Sequence, residues 1–433
     1  MSLSKKRMSM SSVRSESPLA FVAAPNADAE DWTKAWQDVQ ARDLIDSPVV
    51  AVDADTSVED ACELLLSKDI LCLAVNRQPG SSPHFTPYLG LFDFSDVNSF
   101  LTLAATRHRW TTEELEEKPL IDQIVAAAKS GRVPVHLVSN LSEKNPLEIL
   151  PHNANIISLL SIFARGTHRS IIRAPPPSTE YLGMVSDRGL LAWFNAFAQR
   201  TSSLHSFLSN SLSSLSLPSM YLYSSVVAAK ASDTVLDAMN LMSDEGVSSV
   251  AVVEEATGRL LSAVSVTDIG KIVVPSQSNQ ILSTPLHQFV SRIKEPDGST
   301  DGADKYPVYT VMPSSTLLYT MQKLAATNSH RLFVTEESPI SSTPSFTNPA
   351  AANLCGIVSI VDILSLFARI ANLPDVDPTR MQRHRRASST SSTSSRSPRA
   401  DYARSRSSSR TGYLRNSVSS MEGFQWAERV PRP

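Results

Sequence analysis

Apolar residues recur at i, i+3, i+4 and i+7 in four short stretches of the chain, the spacing that gives a helix one buried stripe. The stripes read Val58, Ala61, Cys62, Leu65; Ile157, Leu160, Ser161, Ala164; Val235, Ala238, Met239, Met242; and Leu317, Thr320, Met321, Leu324. Ahead of the first, Thr56 and Glu59 have the spacing of a capping box. Behind each stripe comes a short run in which β-branched residues are common: Leu71 to Val75, Arg169 to Ile172, Ser249 to Val253 and Arg331 to Thr335. After a polar or Pro-rich loop, each unit closes on a run that predicts a strand feeding directly into a second helix.

The closing runs are Gly90-Leu91-Phe92-Asp93-Phe94-Ser95-Asp96-Val97, Gly183-Met184-Val185-Ser186-Asp187-Arg188-Gly189-Leu190, Ser262-Ala263-Val264-Ser265-Val266-Thr267-Asp268-Ile269 and Gly356-Ile357-Val358-Ser359-Ile360-Val361-Asp362-Ile363. Their starts lie too far apart for a stacked solenoid, so each repeat is a small βαββα unit of its own. The closing runs resemble the Gly-(Ile/Val)-Val-(Ser/Thr)-x-x-Asp-(Ile/Leu) signature that ends a CBS repeat. That resemblance implies an α/β (α+β) fold in which four CBS repeats pair sheet against sheet, one with two and three with four, as two Bateman modules. Whether those modules close on each other within the chain or pair between copies of it, as a homo-oligomer, is left open.

The implied organisation is a disordered head over 1–30, repeat 1 over 31–102 and repeat 2 over 103–200 with a helical linker before it. A Ser/Leu-rich connector over 201–217 follows, readable as an amphipathic helix or a partly ordered linker. Then come repeat 3 over 218–275, a loop or linker over 276–307, repeat 4 over 308–375 and a disordered basic Ser/Arg-rich tail over 376–433. Long insertions at Gln78 to Pro87, Ala174 to Glu180, Lys294 to Tyr306 and Ser338 to Asn353 read as decoration or as docking loops.

Composition narrows the class. The chain has 433 residues, 42% of them hydrophobic, enough for a substantial core. Cys62, Cys72 and Cys355 lie scattered in apolar stretches and read as packing residues in a reducing compartment. No stretch approaches a membrane span and no secretory pattern opens the chain, which points to cytoplasm and nucleus. The net charge of −3 conceals a split: from Arg380 onward, twelve Arg face Asp401, Glu422 and Glu428, so the body before them is acidic. The tail reads as a phosphorylatable extension more readily than as a nucleic-acid or membrane arm. Ser388 follows Arg385-Arg386-Ala387 as basophilic kinases prefer, and Ser397-Pro398 and Ser17-Pro18 suit a proline-directed kinase.

Catalytic signatures are missing: there is no Gly-x-Gly-x-x-Gly behind a strand, no P-loop, no His-Glu-x-x-His and no Cys-x-x-Cys. The chain reads as a non-enzyme with no required cofactor. What the CBS resemblance implies instead is a regulatory ligand, an adenine nucleotide (AMP, ADP or ATP). The closing Asp would hold the ribose diol, and the Ser three residues earlier would lie near a phosphate at a helix N-terminus. Repeats 3 and 4 keep both groups, as Ser265 with Asp268 and Ser359 with Asp362. Repeat 1 keeps Asp96 but has Asp93 at the hydroxyl position, and repeat 2 keeps Ser186 but has Gly189 in place of the Asp. His168-Arg169 and His330-Arg331 stand at matching points before the second strand of the even repeats. They resemble the basic residues with which the gamma subunit of AMP-activated protein kinase neutralises adenylate phosphates. A capping His and a surface-paired Arg explain them equally well.

Taken whole, a Ser-rich head, the run from Asp31-Trp32 to Leu44, four CBS units and a Ser/Arg tail resemble a fungal family of CBS proteins. The resemblance implies support of cell-cycle progression, DNA replication and cell separation, with links to nutrient stress, through binding and inhibition of a type 2A-like protein phosphatase or another signalling protein. An adenylate-sensing subunit of a kinase complex is the competing expectation.

Overall fold

The computed structural model describes residues 24–78, 86–106, 119–215, 217, 227–272, 279–293, 309–335, 354–374 and 376. Most of the long insertions and the three phosphorylation candidates, Ser17, Ser388 and Ser397, lie outside these residues.

The described residues form four three-stranded sheets, one per repeat, each with its strands in chain order. They comprise β1 (Ala51–Val52), β2 (Cys72–Asn76) and β3 (Tyr88–Asp93); β4 (Ile149–Leu150), β5 (Arg169–Arg173) and β6 (Tyr181–Ser186); β7 (Ala228–Lys230), β8 (Ser249–Val253) and β9 (Leu260–Ser265); β10 (Thr310–Val311), β11 (Arg331–Thr335) and β12 (Leu354–Ser359). In each sheet the first two strands are parallel and the last two antiparallel. Parallel neighbours need a crossover, which is why a helix of eight to ten residues intervenes in every repeat: Val58–Ser67, Ile156–Phe163, Val235–Asp244 and Leu317–Ala326. The register slips at the same place in all four antiparallel pairs, between Val75 and Asn76, Ile172 and Arg173, Val252 and Val253, and Val334 and Thr335.

Three of the four predicted stripes are buried as read. In the second repeat the buried set is Ile156, Leu159, Leu160 and Phe163, each one residue earlier than expected, because the larger Leu159 and Phe163 take the core and Ser161 turns outward. The first helix is capped by Ser57, whose Oγ accepts from the Asp60 amide at 3.1 Å, one residue on from the expected Thr56 and Glu59.

Sheets 1 and 2 pack face to face through Cys72, Ala74 and Leu91 against Ile171 and Met184, with the Tyr88 and Tyr181 rings 5.2 Å apart. Sheets 3 and 4 do so through Ala251 and Leu260 against Phe333, Leu354 and Ile357. These are the two expected modules. The helices then join the modules within the chain. Repeats 1 and 3 share one core, where Gly270 leaves room for the Phe94 ring and Asn98 donates to the Met239 carbonyl at 3.2 Å. Repeats 2 and 4 share the other, where Phe194 stacks on Phe367 at 4.1 Å and Trp36 stands edge-on to both. The helical faces through which two modules pair are thus used inside this chain.

The segment entering each repeat docks on its neighbour. Residues ahead of β1 pair with repeat 2, Ala41 donating to Ala154 and Asp46 to Met184. Residues ahead of β4 return to repeat 1, with Val135 donating to Thr56. Leu212 and Ser213 serve repeat 4, bonding to Ser315 and Pro313, and the segment around Pro285 serves repeat 3, Leu286 donating to Asp233.

This exchange corrects two expected boundaries and decides between the two readings of the connector. The head does not run to residue 30, since a helix spans Asn26–Gln37 and is pinned by buried Trp32 and Trp36 on the core of repeats 2 and 4, so the stretch from 31 does not open repeat 1. The 201–217 connector is a helix, Ser202–Leu208, followed by a 3₁₀ turn, and it buries Leu204, Phe207, Leu208, Leu212, Leu215 and Leu217 in the same core. The supposed loop over 276–307 holds a helix, Leu286–Ile293, because Leu286, Phe289 and Val290 are spaced to face the core of repeats 1 and 3.

Candidate functional site

The signature residues sit where each closing strand turns into its helix, and the backbone there has four amide donors to satisfy. In repeat 3, Asp268 N donates to Ser265 Oγ at 3.2 Å, while Ser265 N and Oγ both donate to Asp268 Oδ2 at 2.9 and 2.8 Å. Repeat 4 repeats this with Ser359 and Asp362 at 3.2, 2.8 and 2.6 Å. Both pairs are capping boxes, which gives Ser265, Asp268, Ser359 and Asp362 a local role as well as the expected ligand role.

Repeat 1 caps the same turn with Asp93, whose Oδ1 accepts from Ser95 N at 2.7 Å and Asp96 N at 3.3 Å. Asp is as good a cap as Ser, which explains the substitution. Asp96 is 1% exposed and accepts from Asp93 N and from Ser142 N, at 3.1 and 2.9 Å. Burial, reinforced by the neighbouring Asp93 charge, pushes its pKa up to about 8.

In repeat 2, Ser186 Oγ accepts from Gly189 N at 3.0 Å. The missing carboxylate is supplied by Asp46: its Oδ2 accepts from Ser186 N at 3.1 Å and, more closely, from Ser186 Oγ. A Cβ on Gly189 would stand 2.6 Å from that oxygen. Asp46, Ser186 and Gly189 line one wall of a cavity of about 230 Å³, whose other wall is Leu324, Ala325, Asn328 and Ile360 of repeat 4.

The two basic dipeptides divide. Arg331 reaches across its module, Nη2 donating to Ser248 Oγ at 2.9 Å, while its buried Nε has no hydrogen-bond partner. Burial lowers its pKa to about 10, partly offset by the Asp362 carboxylate. Arg169 occupies the equivalent place in the first module, close enough to Cys72 to act on it electrostatically. The histidines instead face one another across the joint of repeats 2 and 4, ring centroids 4.9 Å apart. Between them lies Asp187, 1% exposed, its Oδ2 2.8 Å from His168 Nδ1 and 3.6 Å from His330 Nδ1. Burial acts to raise the Asp187 pKa, but the two imidazoles outweigh it and hold the carboxylate well below its usual range. Burial draws His330 down to about 4, against the pull of the Asp187 carboxylate. Arg188 is tied by Nη1 to Asn328 Oδ1 at 2.5 Å.

Sequence reasoning found the His-Arg pairs and missed Asp46 and the part played by Asp187. Asp187 directly follows Ser186 and could have been flagged as a helix-start acid; nothing near Asp46 in sequence points to a turn 140 residues away.

A family model for the CBS domain matches residues 41–80 and 222–274, in repeats 1 and 3. The protein sds23 of Neosartorya fischeri is 31% identical over 312 residues, 71% of this chain and 56% of that protein. Protein SDS24 of Saccharomyces cerevisiae is 30% identical over 327 residues, 73% of this chain and 59% of that one. The chain therefore spans less than two thirds of the length of these relatives. Among solved structures, protein MJ1225 from Methanocaldococcus jannaschii is similar with a TM-score of 0.52 at 15% identity, over 76% of this chain and 100% of that one, a likeness of fold. Among the described residues no helix is long and apolar enough to cross a membrane. Repeat architecture, family match and relatives agree: the chain carries CBS repeats, and its homologues are the fungal Sds23 and Sds24 proteins.

Proposed function

We propose that this CBS protein is a non-catalytic binding subunit that captures a signalling protein, with a type 2A-like protein phosphatase as the partner class and inhibition as the effect. Through it the chain would serve cell-cycle progression, DNA replication and cell separation. One observation supports this reading over nucleotide sensing: in repeats 1 and 2 the position that would receive a phosphate is filled by the protein's own carboxylates, Asp93 beside Asp96 and Asp46 on Ser186. A closed ring of four repeats then offers its outer surfaces and tails to a partner. The test is titration of a purified type 2A-like catalytic subunit with the full chain, reading phosphatase activity and co-elution. Saturable inhibition with co-elution supports the proposal; unchanged activity and separate elution overturn it.

A second reading, adenylate regulation of the module of repeats 3 and 4, draws on the Arg331 Nε, which is buried without a hydrogen-bond partner, and on the intact Ser265/Asp268 and Ser359/Asp362 pairs. Isothermal titration with AMP, ADP and ATP, beside the Asp268→Ala/Asp362→Ala double variant, decides it. Binding lost in the variant supports it; no heat with any nucleotide removes it.

A further inference from the structure

We propose that His168, Asp187 and His330 form a binding site for a divalent transition metal of the zinc class, and that the ion fastens repeat 2 to repeat 4. The three ligand atoms lie within 4.8 Å of one another, with Asp187 Oδ2 at 2.8 and 3.6 Å from the two imidazole Nδ1 atoms. Donors of a tetrahedral zinc, each about 2.0–2.1 Å from the ion, stand roughly 3.3 Å apart, so small side-chain adjustments suffice.

Three buried polar atoms here lack hydrogen bonds, Asp187 Oδ1 and His330 Nδ1 in the cluster and Arg188 Nε beside it. Leaving such groups without a hydrogen bond forfeits their hydration for nothing in return, which makes them uncommon without a partner. A carboxylate between two imidazoles is a cation's environment more than an anion's, since Asp187 already supplies the negative charge that a phosphate would bring. The nearby guanidinium of Arg188 is engaged with Asn328. The His168 and His330 side chains remain 22% and 28% exposed, so an ion has a way in.

The proposal is independent of which partner or nucleotide the protein binds. The full chain, stripped with a chelator and dialysed, is titrated with Zn²⁺ against a chromogenic competitor and separately with Co²⁺ to read visible d–d bands. One equivalent of zinc per chain, a tetrahedral cobalt spectrum, and a melting temperature that rises with zinc are expected. His168→Ala and His330→Ala should each weaken binding at least tenfold, and Asp187→Asn should do so while sparing the fold. Circular dichroism of each variant separates a lost site from a lost structure. Absent uptake, or equal uptake by the wild type and a folded His168→Ala/His330→Ala double variant, overturns the proposal. AMP binding that requires both histidines, with no zinc taken up, would overturn it in favour of an anion site.

Discussion

Asp46 stands in for the side chain that Gly189 lacks: its carboxylate oxygen lies 2.6 Å from the point where a Cβ on residue 189 would be. It closes on Ser186 the same bonds that Asp268 and Asp362 close on Ser265 and Ser359. The capping box of repeat 2 is thus completed by a residue from ahead of repeat 1. Gly189→Asp alone should set two carboxylates against each other and cost about 1–3 kcal/mol. The double change Asp46→Ala/Gly189→Asp rebuilds the local box and should recover most of that loss, leaving about 1 kcal/mol or less. Chemical denaturation of the four chains gives the coupling; additive effects would refute the exchange of roles.

Asp96 predicts a pH dependence. Its pKa in the folded chain is raised by burial and by Asp93 to about 8, against about 3.9 for a free Asp. Between these values the folded state keeps a proton that the unfolded state releases, so this contribution to stability falls as pH rises from about 4 to about 8 and is level beyond. Melting temperatures from pH 5 to pH 8.5 should therefore decline less steeply in Asp96→Asn than in the wild type. Parallel profiles would show that the pair does not titrate this way.

Trp36 is fully buried, edge-on to Phe194 and Phe367 at 5.1 and 5.9 Å. Trp36→Ala should cost about 3–5 kcal/mol and loosen the joint of repeats 2 and 4. Near-ultraviolet circular dichroism and thermal melting check this; a loss under 1 kcal/mol would mean that the N-terminal helix is not part of that core.

Ser359→Ala should cost about 1 kcal/mol by removing an N-cap. Ser359→Asp should keep the cap, as Asp93 does in repeat 1, but set a carboxylate beside buried Asp362 and create a pH-dependent loss of stability above neutrality. Equal stability of both variants at pH 5 would argue against the capping role.

Much of this architecture could be read from the chain. Crossover helices and strands announced themselves because their periods, near 3.6 and 2, arise from local geometry, and Val58, Val235 and Leu317 all begin buried stripes as read. The Ser-x-x-Asp pairs were equally visible, yet the same spacing serves a helix cap and a ligand contact, so sequence could not assign the role. What escaped was non-local. Ile156 rather than Ile157 faces the core because Phe163 does, and that choice is made by the opposing repeat. Leu204 and Phe207 left the choice between amphipathic helix and linker open because their partners, Trp32 among them, lie far off in the chain. Asp187 meets His330 only after two modules have closed.

The docking of each entering segment on a neighbouring repeat also governs how the molecule is made. As the chain leaves the ribosome, residues 39 to 47 emerge before the parts of repeat 2 that hold them, Ala154 and Ile156 for the first of them and the end of β6, 140 residues after Asp46, for the last. Repeat 1 in turn waits for Val133 and Val135 to cover its first helix. The nascent protein therefore has no early resting point at one finished repeat, and long-range closures of this kind slow folding and prolong the exposure of apolar faces. A gene fragment cut after the first repeat should yield aggregating protein, while one that ends beyond the second already carries both halves of the exchange.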